Sequence, residues 1–152
     1  MMPLPERIVA LLAEDNPDDV VLLRRALERI GRFEPVLVLP DPEQAIPYLR
    51  GENGFADRTA YPLPEVLLMD AKMPRVSGID LLFWLRTEPK WVRLPVVILS
   101  GALSPAQEEI IQRLNATWCL KGVEMRQMSA LIDDAVRRAF SLVACTDSSA
   151  PR

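Results

Sequence analysis

Histidine is absent from the 152 residues of the chain, which excludes histidine-based triads, histidine metal ligands and an internal phosphohistidine. Cysteine is nearly absent too. Cys119 and Cys145 fit neither a metal-binding spacing nor a disulfide framework, so the cytoplasm is the expected compartment. No excess of positive charge exists: the net charge is -3, which leaves no basic footprint and predicts no nucleic-acid partner. Long apolar runs are missing as well. The opening "MMPLPERIVALLAED" reaches acidic residues after a stretch too short to span a bilayer and shows no cleavage pattern, so no membrane association is expected. What remains is ordinary for a globular chain, 49% hydrophobic and 26% charged, at a length that suits one domain with a single sizeable core.

Short apolar runs alternate with helical patterns. "RIVALLA" (7 to 13), "PVLVL" (35 to 39), "EVLLM" (65 to 69), "PVVILS" (95 to 100) and "ATWCL" (116 to 120) read as five strands. The runs at 8 to 13, 66 to 69 and 96 to 99 are apolar almost throughout, as strands buried on both faces of a parallel sheet require. Residues 17 to 30 carry Val20, Leu23, Leu27 and Ile30 at helical spacing, with Asn16 as N-cap and Pro17 at the first helical position. Ser104 and Pro105 open another helix, with Ala106, Ile110, Ile111 and Leu114 as its apolar face. A last helix, 125 to 143, presents Met128, Leu131, Ile132, Ala135, Val136 and Ala139. In "DPEQAIPYLR" (41 to 50) Pro47 interrupts the helical pattern, and an unusually long loop follows through Pro64. The expected organisation is one domain over 7–143 and a flexible polar tail over 144–152. The fold class is α/β, a doubly wound parallel sheet of five strands flanked by five helices.

Polar residues stand where these strands end: Glu14 and Asp15 after the first, Asp70 at the third, Ser100 at the fourth and Lys121 at the fifth. Open α/β sheets bind ligands at that edge. In the strand order 2-1-3-4-5 the first and third strands are neighbours, and three carboxylates converge. Such a group is self-repelling unless a cation is shared. Magnesium suits an all-oxygen set of Glu14, Asp15, Asp70 and the backbone carbonyl of Lys72, with room left for a phosphoryl oxygen. Asp70 is then a candidate nucleophile toward phosphorus. Lys121 would neutralise the transferred oxygens and Ser100 would donate a hydroxyl to them. After Asp70, Pro74 fixes the exit from the strand and Gly78 allows a tight turn or a close backbone approach.

This pattern resembles the response-regulator receiver domain of two-component signalling, over about residues 7 to 140. That family has an acidic pair after strand one and a phosphoacceptor Asp at the end of strand three, before a Met/Leu-Pro-x-x-x-Gly turn. A Ser or Thr ends strand four and a Lys ends strand five. Here they are Glu14 and Asp15, Asp70 with Met73, Pro74 and Gly78, Ser100, and Lys121. The strand order 2-1-3-4-5, the flavodoxin-like topology, is itself the family's. "LLAEDNPDDVVLLRRAL", the long loop and "EPKWVRLPVVILS" look most like the single-domain regulators that accompany bacteriophytochromes. The resemblance implies a magnesium-dependent phosphoacceptor and not an enzyme in its own right. Its implied partners are a sensor histidine kinase or histidine phosphotransfer protein and a downstream protein target, with a homodimer as a further candidate. It also implies output through the face of helix four, strand five and helix five, with Ser100 and Trp118 as switch residues.

Several readings compete. Asp18 and Asp19 read as helix N-terminal charges that complement the dipole. The family usually has proline after the strand-five lysine, where this chain has Gly122; a cis bond without proline costs about 2.5 to 4 kcal/mol, so a trans or rearranged loop is expected. Trp118 replaces the usual Tyr or Phe. These two departures favour an alternative, a phosphorylation-independent adaptor with the same fold. A phosphohydrolase with an aspartate nucleophile would want a second acid where Lys72 stands, and is set aside. Lys72 is expected to shield the phosphoryl group from water, and Ala102 to offer no side-chain polar group for holding that water.

Overall fold

The computed structural model describes residues 3–72 and 77–149. Met73 and Pro74, part of the expected turn after Asp70, lie outside the described residues. The strands are β1 (Ile8–Ala13), β2 (Phe33–Leu39), β3 (Val66–Asp70), β4 (Val96–Ser100) and β5 (Thr117–Leu120). They form one parallel sheet in the order β2-β1-β3-β4-β5. The helices are α1 (Pro17–Ile30), α2 (Ala45–Arg50), α3 (Gly78–Thr87), α4 (Pro105–Arg113) and α5 (Met125–Ser149), with a short 3-10 turn at Pro42–Gln44 before α2.

Alternation along each strand divides the apolar residues into two cores. Leu11, Leu67, Met69 and Ile98 face α2, α3 and α4, and meet Tyr48, Leu82, Leu85 and Ile111 there. Ile8, Leu12, Leu68 and Leu99 face α1 and α5, and meet Leu23, Leu27, Ile132 and Val136. Both faces of β3 and β4 are therefore covered, as their unbroken apolar runs require.

The local chemistry explains most element ends. The Asn16 side chain accepts from the backbone N–H groups of Asp18 at 2.9 Å and Asp19 at 3.4 Å, and Gly31 closes α1 in the left-handed conformation at φ 87°. Ser104 and Gln107 form a reciprocal capping box at the start of α4. β2 begins earlier than its apolar run, at Phe33. Pro35 is accommodated because β2 is an edge strand whose register with β1 slips between Ile8 and Ala10.

Four expectations need correction. Pro47 does not break α2; it lies in the first turn, where its missing N–H is not needed. On α4 only Ile111 is fully buried, while Ala106 is exposed and Ile110 and Leu114 are half-buried, so the helix rests on the sheet by one residue. Leu131 of α5 is 39% exposed, because it falls at the margin of a stripe whose centre is Met128, Ile132, Ala135 and Val136. The last helix does not stop at Val143 but continues to Ser149, well into the segment expected to be a flexible tail. Nothing in 144–149 is a glycine or proline that would break it.

Two arginines fasten irregular backbone. The Arg86 guanidinium donates to the carbonyls of Leu114 (2.6 Å), Leu94 (2.9 Å), Val92 (3.2 Å), Asn115 (3.3 Å) and Trp91 (3.4 Å). It joins the end of α3 to the loop before β4 and to the end of α4. Burial pulls its pKa down to about 10, still charged at neutral pH. Arg58 likewise donates to the carbonyls of Tyr48, Leu49, Phe55 and Tyr61, and so secures the long loop after α2. That loop leads to the start of β3, the end of the sheet away from the acids.

Candidate functional site

Parallel strands carry their last residues to one edge, and all five expected side chains arrive there. The carboxylates of Glu14, Asp15 and Asp70 each offer an oxygen within 4.8 Å of the others. Glu14 is fully buried, Asp70 half-buried and Asp15 exposed, so the group runs from the interior to the solvent. Asp70 Oδ1 accepts the backbone N–H of Lys72 at 3.0 Å, and Asp70 Oδ2 accepts Lys121 Nζ at 2.9 Å. Lys121 Nζ also donates to Glu14 Oε1 at 3.1 Å and pairs with Asp19 Oδ2 at 2.8 Å. One ammonium thus meets three carboxylates.

Gly78 makes the packing around Asp70 possible. A Cβ there would run into the Asp70 carbonyl oxygen and sit 3.2 Å from Ala71 Cα, all of it backbone that cannot turn aside. Of the two expected uses of this glycine, the close approach is the operative one. Its N–H donates to the Ala71 carbonyl at 3.2 Å, which ties the start of α3 to the end of β3.

Charge in the site is strongly redistributed. Burial pushes the Glu14 carboxyl up, the Lys121 hydrogen bond opposes this, and the neighbouring Asp70 charge adds to it, leaving a pKa of about 8. The Lys121 hydrogen bond holds Asp19 below the usual carboxylate range. For Lys121, burial works against the ammonium, but its bonds to Asp19, Asp70 and Glu14 outweigh that and raise its pKa above the ordinary lysine range.

The donor set fits a hard dication. All ligand atoms are oxygens, three carboxylates converge, and Glu14 Oε2 is buried with no hydrogen-bond partner. The unpartnered Oε2 leaves Glu14 able to serve as a ligand for such an ion.

The remaining expected residues lie around this centre. Ser100 is 3% exposed, and its hydroxyl is engaged by the next loop, donating to the Ala102 carbonyl at 2.7 Å and accepting the Ala102 N–H at 3.2 Å. Ala102, expected only to lack a side-chain group, contributes its backbone. Lys72 is exposed at the rim. Trp118, level with Ile98 in the sheet, is half-buried beside a cavity of about 450 Å³ lined also by Gln112, Thr117, Arg138 and Ser141. Gly122 adopts φ 86°, a left-handed residue that glycine tolerates without strain. Asp19 was not expected in the site. Its position in the first turn of a helix suggested a dipole charge, yet that helix opens directly after Glu14 and Asp15, and so its first turn borders the acid cluster.

The chain has relatives among known proteins. The probable methanogenesis regulatory protein FilR2 of Methanothrix harundinacea is 32% identical over 96 residues, 63% of this chain and 59% of that protein. The chain matches less than two thirds of the length of such curated relatives, and about 14% of a longer one, RcaC of Microchaete diplosiphon. Solved structures match over most of the chain, among them two bacteriophytochrome response regulators. The bacteriophytochrome response regulator RtBRR superposes with a TM-score of 0.71 at 28% identity, covering 96% of this chain and 98% of its own. The bacteriophytochrome response regulator AtBRR does so with a TM-score of 0.68 at 32% identity, covering 86% and 94%. Among the described residues no helix is long and apolar enough to cross a membrane. Residues 10–133 match the family model for the response regulator receiver domain, and with four fifths of the chain accounted for in this way, the protein belongs to that family of two-component signalling domains.

Proposed function

We propose that this receiver accepts a phosphoryl group on Asp70 from a histidine of a partner kinase or phosphotransfer protein, with magnesium held by Glu14, Asp15, Asp70 and the Lys72 carbonyl. The observation that carries the reading is the Asp70 carboxylate, bound by Lys121 at 2.9 Å inside a cluster whose Glu14 Oε2 is left without a partner. A bound magnesium ion would supply positive charge to the phosphoryl oxygens. The chain's own residues do the rest. A carboxylate oxygen of Asp70 forms the new P–O bond while the P–N bond to the donor imidazole breaks, and the departing nitrogen keeps the electron pair. Lys121 remains at the equatorial oxygens and offsets their charge.

The output depends on Ser100. Its hydroxyl is committed to the Ala102 backbone, so turning toward a phosphoryl oxygen releases the 101–104 loop that leads into α4. Having one fully buried residue, α4 is the helix least restrained against such a shift. The half-buried Trp118 and the cavity beside it give the indole room to respond. A downstream protein would read the face of α4, β5 and α5, on which Leu120 is 48% exposed. Signalling through this face in the cytoplasm is the proposed role.

The experiment is direct. Incubating the protein with magnesium and acetyl phosphate should add the mass of one phosphoryl group, and Asp70→Asn should abolish the gain. No mass gain in the parent protein would instead favour the phosphorylation-independent adaptor, to which the Gly122 loop and Trp118 lend some support.

A further inference from the structure

The side chain of Lys121 is not aimed by the residue that follows it. Its backbone N–H is fixed on the Ser100 carbonyl at 2.9 Å, but Gly122 follows with no side chain and nothing within 4 Å of where one would begin. The aim comes from across the site. The ammonium donates hydrogen bonds to Asp70 at 2.9 Å and Glu14 at 3.1 Å and forms an ion pair with Asp19 at 2.8 Å. Two of these acids belong to the group that can hold a cation, and one of the two is the proposed phosphoacceptor. Both change character when the site is used. Asp19 does neither job; it stands on α1, outside that group, with its side chain 32% exposed.

We infer that Asp19 is a positioning residue, which keeps the Lys121 ammonium at the mouth of the acid cluster while Glu14 and Asp70 exchange their bonds to it for other partners. This rests on the proposed phosphoacceptor reading. With the ammonium held by its ion pair to Asp19, the N–H groups now on Glu14 and Asp70 remain for phosphoryl oxygens. Without Asp19, the ammonium settles on Glu14 and Asp70, where it opposes a dication and lies off the line of the incoming group.

Lysine is scarce enough to watch this directly, since Lys72, Lys90 and Lys121 are the chain's three. In protein labelled with 13C-lysine, the Lys121 Cε resonance is assigned by its loss in Lys121→Met and followed while magnesium chloride is added. In the parent it should stay apart from those of the other two lysines at saturating magnesium; in Asp19→Asn it should move toward them. Phosphorylation by acetyl phosphate at saturating magnesium should slow at least tenfold in Asp19→Asn. The exposed neighbour Asp18 carries the same charge, and Asp18→Asn should change the rate less than twofold. In a Lys121→Met background Asp19→Asn should slow the reaction no further. A Lys121 resonance indifferent to Asp19→Asn, or equal slowing by Asp19→Asn with and without Lys121, would overturn the inference. If the parent takes up no phosphoryl group, the phosphoacceptor reading fails, and the resonance alone still decides whether Asp19 holds Lys121.

Discussion

Gly78→Ala is the substitution whose effect follows most directly from the geometry. A methyl at this position collides with the Asp70 carbonyl oxygen and comes within 3.2 Å of Ala71 Cα, so α3 has to move away from β3. Overpacking of this kind costs about 1 to 3 kcal/mol. Losing the hydrogen bond from Gly78 N–H to Ala71, 3.2 Å long, adds about 1 kcal/mol. Against this, alanine is the better helix former by about 1 kcal/mol. The steric term prevails, leaving a net loss of about 1 to 3 kcal/mol. For a domain of this size that lowers Tm by roughly 2 to 12 °C. Asp70 is displaced as well, and a misplacement near 1 Å costs about a hundredfold in rate, so phosphorylation should fall at least tenfold. Gly101 provides the control: it has nothing within 4 Å of its Cβ position, and Gly101→Ala should leave Tm unchanged within about a degree. Differential scanning calorimetry of the two variants beside the parent makes the comparison. A Tm for Gly78→Ala equal to or above the parent's would refute the steric argument, since helix propensity would then have outweighed the contact.

Further consequences can be measured in the same preparations. Glu14, raised from 4.5 in the unfolded chain to about 8, stabilises the metal-free fold fully below pH 4.5 and loses that contribution as pH rises through 8; in chelator, Tm should drop over this window, and Glu14→Gln should flatten the drop. A Tm profile unchanged by Glu14→Gln would count against it. Arg86→Met should cost about 3 kcal/mol by stranding five carbonyls, and faster amide exchange at the end of α4 should accompany the loss. Ser100→Ala should still gain phosphoryl mass on Asp70, but without the change in tryptophan fluorescence expected on phosphorylation of the parent, a change that Trp118→Phe, with Trp84 and Trp91 retained, should also remove. Lys72→Ala should shorten the lifetime of the phosphorylated form, followed by mass spectrometry, and an unchanged lifetime would remove Lys72 from that role.

The strand ends were readable because a parallel sheet imposes them. An apolar run that stops at Asp70 or Ser100 announces both the strand and the residue at its edge. Glu14, Asp15 and Lys121 follow by the same rule. Asp19 was missed because an acid in the first helical turn already has a local reason to be there, and only the contact with Lys121, distant in sequence, reveals a second. The exposure of Ala106 and Leu131 was equally hidden, since an amphipathic stripe shows which side of a helix is greasy and not how much of that side its neighbours cover. Pro47 was misjudged by position: the 3-10 turn at Pro42–Gln44 leaves the helix to begin at Ala45, which places Pro47 where proline does no harm. Of the turn expected after Asp70 from Pro74 and Gly78, only the close approach made by Gly78 falls among the described residues.

Arg58 and Arg86 direct their hydrogen bonds to main-chain carbonyls alone among the contacts described here, nine in all. Every residue type carries the carbonyl that each bond needs, and only the donor has to be arginine. The bonds themselves therefore place no demand on the side chains of the residues that supply the carbonyls; packing constrains the buried Trp91 and Leu94, whereas a partly exposed position such as Val92 can change while the anchorage beneath it stays intact.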